Sequence, residues 1–310
     1  MSLLRLRVRT GQDAYFASEA CVSMVLEREV YTPYERLTAV FLGDGSEDCT
    51  AAVEVELFWN ETSIFLGIAD KVEKYQRGGV WFLRVESKTF TSLLTQNELE
   101  EGLHSHLTIR QLVTGFYTLP HVTSEEDPTT GYIYVRERMS MWDSVASFVF
   151  KITGRYPYVD NNMVRFSLGA DVPVHEPAVS LITEIGRQLD TTKLVSDYHM
   201  SDIDGNPNAY QESNPAAQQA QIVRNKQLAF DRQFLSSPQM ALVYRRMVSC
   251  RGMRANFLTY AGFNNEKLGE KLTCGQHLQN KRICRVRVVF GTQGLLTSLW
   301  AYEDGFFNNN

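Results

Sequence analysis

With 310 residues, 44% of them hydrophobic and 22% charged, the chain has the make-up of an ordinary globular protein with room for two domains or three small ones. No apolar run approaches the roughly 20 residues that span a bilayer as a helix, which argues against a membrane protein. Its five cysteines are odd in number, widely spread and contain no CxxC pair, so neither a zinc knuckle nor a disulfide framework is indicated.

The first residues alternate, with Leu4, Leu6 and Val8 facing one way and Arg5, Arg7 and Arg9 the other. That is the period-two pattern of a half-buried strand and lacks the unbroken apolar stretch of an export signal. Strand signals continue through Val22, Met24 and Leu26, then 36–42, 52–58, 64–68 and 81–85, with Gly78-Gly79 as a tight turn. Six or so short strands in succession predict a small barrel over residues 1–100.

The texture then changes. Thr108 and Gln111 are spaced as a capping box, ahead of a helical face of Ile109, Leu112, Val113 and Phe116. Ser140 opens a second helix, which carries Met141, Trp142, Val145, Phe148, Val149 and Ile152 as an apolar stripe and ends at Gly154. Asp160-Asn161-Asn162 turns a hairpin between 156–159 and 163–167, so residues 101–172 read as a small α+β unit. From Pro173 the pattern loosens. Residues 202–217 read as a mobile loop, Ser237-Pro238 starts a helix with Met240, Val243, Tyr244 and Met247, and 283–290 and 295–302 return to strands. Residues 173–310 are therefore expected to form a second barrel with loop and helical insertions. The fold class expected is α+β, β-dominated: two small β-barrel domains joined by a small α+β unit.

Charge is unevenly spread. Residues 245–287 carry ten basic side chains against two acidic ones, a local balance of +8 in a chain whose total is −5. Without a nucleic-acid motif, an acidic protein partner suits this stretch better than nucleic acid does, and a solvated face suits it equally.

A search for chemistry yields little. There is no GxSxG, HExxH, Walker loop or GxGxxG. His104-x-His106 is a half-site for a metal with no third ligand nearby, and 202–206 resembles a calcium loop but has its glycine at the fourth position and Ser213 where a glutamate belongs. Glu100, Glu101, Glu125 and Glu126 fall in polar loops and read as solvated, with no apolar setting to raise a carboxylic acid's pKa. No catalytic residue, metal or cofactor is nominated.

The order of elements is more telling. Tyr31-Thr32-Pro33 leads into 36–40. Val55-Glu56-Leu57-Phe58-Trp59 turns into 64–69. Val85-Glu86-Ser87 precedes Leu93-Leu94 and Asn97. Tyr132-Ile133-Tyr134, 141–145, 154–159, 268–272 and 285–288 follow in sequence. In this order the chain resembles the tail-hub family of contractile phage tails, including late-control-D-type proteins and the hubs of Bacillus-type defective prophages. The likeness covers 21–168 well and 266–302 thinly.

It implies a non-enzymatic homotrimer made in the bacterial cytoplasm and built into a baseplate. Two like barrels per chain would form a ring adapting a sixfold tail tube to a trimeric spike. The implied partners are a second copy, tube protein, central spike, baseplate wedge proteins and a tape-measure protein, with no specific nucleic acid and no membrane. Arg5, Arg7, Arg9, Phe306 and Phe307 are the partner-binding candidates. Two other classes stay open: a wall hydrolase with an unrecognised site, and a distal-tail or carbohydrate-binding structural protein.

Overall fold

The computed structural model describes residues 4–11 and 14–304. Seven strands come first: β1 (Leu4–Thr10), β2 (Ala14–Ser18), β3 (Cys21–Glu29), β4 (Arg36–Leu42), β5 (Ala52–Trp59), β6 (Thr62–Arg77) and β7 (Val80–Thr89). The middle holds α1 (Leu93–Gln96), β8 (Gly102–Leu107), α2 (Ile109–Thr114), β9 (Thr123–Ser124), β10 (Gly131–Val135), α3 (Met141–Thr153), β11 (Tyr158–Asp160) and β12 (Met163–Arg165). There follow β13 (Val174–His175), β14 (Ile182–Leu189), β15 (Asp197–Met200), β16 (Tyr210–Ser213), α4 (Pro215–Gln219), β17 (Asn225–Leu228) and α5 (Pro238–Ser249). The chain closes with β18 (Arg254–Ala261), β19 (Lys271–Leu272), β20 (Lys281–Arg282), β21 (Arg285–Gly291) and β22 (Gly294–Tyr302).

The protein is α+β and dominated by one eleven-stranded sheet, in the order β14-β18-β22-β21-β3-β4-β7-β6-β5-β1-β2. β3 is the splice. One of its edges pairs with β4, and the other pairs antiparallel with β21 from the far end of the chain. The two expected small barrels are thus met by a single ladder, and no ladder among the described residues closes into a ring.

The first seven strands are nonetheless curled. If flat, they would set β2 and β3 about 29 Å apart, at ~4.8 Å per strand spacing. Only Glu19 and Ala20 separate the two strands, and a link from Ser18 to Cys21 reaches at most about 11 Å. The arc must bend back on itself. Its concave side holds Leu6, Met24, Leu37, Leu57, Phe65 and Leu83, which share a core with Leu258, Val286 and Leu299 of the C-terminal strands.

A second core belongs to the middle. The capping box forms as the spacing predicts: Thr108 accepts from the Gln111 amide, and the Gln111 side chain accepts from the Thr108 amide. Phe116 is the exception, lying past the end of α2 and exposed. α3 is N-capped by Ser140 and ends at Gly154, whose φ of 71° suits a residue without Cβ. Asn161 and Asn162 take positive φ at the β11–β12 turn. α5 and β15 pack on this same core, burying Leu242, Tyr198 and Met200.

The segment read as a mobile loop is built. Asp202 accepts from the amides of Asp204 and Asn206, which makes it a turn, and β16 and α4 follow. α5 begins at Pro238 as predicted, but the Ser237 side chain makes no cap hydrogen bond.

One buried ion pair ties these parts together. Arg28 donates from Nε to Glu35 at 3.0 Å, and to the carbonyls of Glu266 (3.1 Å) and Ile64. The other Glu35 oxygen accepts from the Asn161 amide at the hairpin turn. Strand sheet, middle hairpin and C-terminal loop therefore meet on one desolvated pair, whose hydrogen bonds offset the cost of burial.

Candidate interaction surfaces

Arg5, Arg7 and Arg9 share the outer face of β1, as the alternation predicts. Each is already paired within the chain. Register sets Arg7 opposite Glu56 and Arg9 opposite Glu54, and Arg5 reaches Glu61 at 2.9 Å. The Phe58 ring lies 4.6 Å from the Arg5 guanidinium and 5.1 Å from that of Arg7. Burial would raise the Glu54 carboxyl, but Arg9 and His121 outweigh it and hold it below the usual range. The surface offered to a neighbour is thus zwitterionic rather than basic. Phe306 and Phe307 lie outside the described residues.

The basic stretch is also largely spent inside the chain. Arg246 pairs with Glu212 at 2.7 Å, Arg285 and Arg287 both approach Glu27, and Arg282 donates to the carbonyls of Gly269 and Gly169.

β14, which the sequence reading did not single out, presents the more open surface. It ends the long sheet, pairing with β18 on one side and with no strand on the other among the described residues. Opposed residues share a face, so Ile185, Leu258, Leu299 and Val286 form one row across four strands. The last three are fully buried, whereas Ile185 is 55% exposed. Leu189 and Leu181 are exposed beside it, and Val179 is 83% exposed. A core row here runs off an open edge that is only lightly guarded: β14 holds no proline or lysine, and its devices against pairing are one bulge after Ile182 and one residue of each charge. A sequence signal existed in Ile182, Ile185 and Leu189, but a bulge after Ile182 spoils their alternation.

The residues weighed and set aside for chemistry are not brought together into a site among the described residues. His104 meets the Glu100 carbonyl and the edge of Phe116, and His106 takes a positive φ where the register of β8 shifts. Among the described residues, no group of three His, Cys, Asp or Glu side chains is placed to hold a metal. Glu125 is not solvated, as the sequence suggested. It accepts from the amides of Phe166 and Ser167 and from the Ser167 hydroxyl, anchoring the segment that leaves β12. Glu126 pairs with Arg110 at the surface. Burial brings the Lys151 ammonium down to about 8, and Asp231 opposes that fall; the group sits over the Tyr132 ring at 3.5 Å and donates to the Tyr132 carbonyl.

No protein-family model matches the chain, and no curated protein matches its sequence. Solved structures do share its fold. A tail protein from Neisseria meningitidis superposes with a TM-score of 0.72 at 13% identity, over 98% of both chains. The 43 kDa tail protein of prophage MuSo2 from Shewanella oneidensis gives 0.67 at 10% identity, over 96% of this chain and 98% of the other. A type VI secretion component of E. coli, described as similar to the T4 tail proteins gp27 and gp5, gives 0.58 at 8% identity, over 98% of this chain and 80% of that one. At these identities the likeness is one of fold.

Proposed function

We propose that the chain is a structural hub of a contractile phage tail or tail-like particle, with three copies forming a ring between the sixfold tail tube and a trimeric spike. The observation that carries this reading is the fold shared, end to end, with tail proteins of nearly equal extent. Each chain would supply two β units, the curled arc β1–β7 and the C-terminal strands β14, β18, β21 and β22, so three chains meet six tube subunits. The role is non-enzymatic, as for a tail structural protein: of the carboxylates a wall hydrolase could use, Glu125 is spent on backbone amides and Glu126 on Arg110. Contacts with tube, wedge and tape-measure proteins would use surfaces such as the Arg5, Arg7 and Arg9 face.

The open edge of β14 supports self-association, because a second chain laid against it would cover Ile185 and Leu189 and extend the core row. Sedimentation of the full chain tests this. The parent should associate, and Ile185→Glu with Leu189→Glu should sediment as a monomer with an unchanged melting temperature. A parent that stays monomeric at high concentration, or a double variant that associates as well as the parent, would contradict the ring.

A further inference from the structure

A cleft of about 590 Å³ opens between the β3–β4 turn, the three-stranded sheet β16-β15-β17 and α5. Four cations line it: Lys193, Lys226, Arg245 and Arg251. The Lys193 and Lys226 ammonium groups make no hydrogen bond or ion pair among the described residues, and Arg245 is 3.8 Å from Asp231. Arg251 is held against the rings of Tyr156 and Tyr31, at 4.4 and 5.2 Å, and donates to the Val248 carbonyl. Among the described residues Glu29 is the one acidic side chain on the lining, and it accepts from the Tyr302 hydroxyl at 2.5 Å.

The floor differs in chemistry from the walls, since Val195, Tyr198, Leu228 and Val248 make it apolar. One boundary is a strand edge. β17 pairs in parallel with β15 on one side and has no strand on the other among the described residues, and Lys226 and Leu228 belong both to that strand and to the lining.

We propose that this cleft binds an extended acidic segment of a different protein, which adds a strand to the free edge of β17. Backbone groups of Asn225–Leu228 supply the ladder bonds, an apolar side chain of the segment fills the floor, and its carboxylates meet the four cations. Each feature narrows the ligand. A phosphate or nucleic-acid backbone has no use for an apolar floor, and a neutral strand leaves the cations unmet. A second copy of this chain is better matched to β14, whose open edge exposes the large apolar side chains Ile185 and Leu189 and whose two charges cancel. The site is separate from the ring surface, so it stands or falls without it.

The test is a display selection of randomised octapeptides on the full chain, followed by binding of the selected peptide in solution. Asp and Glu should be enriched around one apolar position. Affinity should fall at least about tenfold in the Lys193→Glu, Lys226→Glu double variant, and again as salt rises from about 50 to about 500 mM. Both lysines are exposed, so an unchanged melting temperature and an unchanged sedimentation profile should accompany the loss. Methylating alternate peptide amides of the bound segment should abolish binding in one register and spare it in the other. Selection without acidic enrichment, binding indifferent to the double variant, or full displacement by an oligothymidylate or inorganic phosphate would overturn the proposal.

Discussion

At the β2 end of the long sheet, Phe16 folds onto the core, Ser18 donates to the Leu42 carbonyl at 2.7 Å, and two residues later the chain enters β3. The outer face there carries arginines matched to glutamates on the next strand. At the β14 end the row of Val286, Leu299 and Leu258 runs out to Ile185, more than half of which faces solvent. Both are terminal strands of the same sheet, yet one margin is completed by its own chain and the other is not. Alternation in a strand tells which side chains face the core; it does not tell whether there is core enough to cover them. That depends on the neighbouring strands, and at β14 no strand among the described residues lies on the outer side.

The largest effect should come from the buried pair on β3, between the two margins, that ties sheet, middle hairpin and C-terminal loop together. Glu35→Ala leaves the Arg28 guanidinium buried without its counter-ion, and should cost about 3–5 kcal/mol in denaturant unfolding. A loss under about 1 kcal/mol would mean that the pair does not hold the parts together.

Leu258 and Ile185 share one row, so truncating each measures the difference between core and margin directly. Leu258→Ala should cost about 2–5 kcal/mol, and Ile185→Ala within about 0.5 kcal/mol in the dissociated chain. Equal costs would show that β14 is covered within a single chain.

The arginine face should contribute less. Arg7→Ala removes a half-exposed ion pair and a ring contact, worth about 0.2–1 kcal/mol, and the cost should shrink in high salt. A salt-independent loss would assign the effect to packing on Phe58.

The smallest effect concerns His175, which donates to Glu270 at 2.7 Å where β13 meets β19. That hydrogen bond raises the imidazole above its ordinary 6.5, against the opposing pull of burial. A raised folded value stabilises the protonated form. The contribution is therefore complete below the unfolded value near 6.5 and is lost as pH climbs through the folded value. Melting temperature should drop slightly across that window, and His175→Gln should remove the drop.

Much of the middle was legible because its signals are local. Thr108 and Gln111, Ser140 and Gly154, and the Asn161-Asn162 turn each act within a few residues, and each formed as its spacing predicts. The sheet as a whole was not. The pairing of β3 with β21 joins residues some 260 positions apart, and nothing local in either strand announces it. Arg28 continues the core-facing parity of Met24 and Leu26, but nothing local announces a buried charge there or its partners Glu35, Ile64 and Glu266. Glu125 misled for a similar reason: a polar loop gives no sign that a segment some 40 residues on will supply three donors. The cleft of the four cations was half visible, since the basic stretch was plain while Lys193 and Lys226 lie outside it.

A cryo-electron reconstruction of the assembled full chain tests the central claim most directly. The account predicts three copies around one axis, with β14 of each lying against its neighbour and Ile185 and Leu189 covered. One or six copies per ring, or three copies with β14 left in solvent, would contradict it.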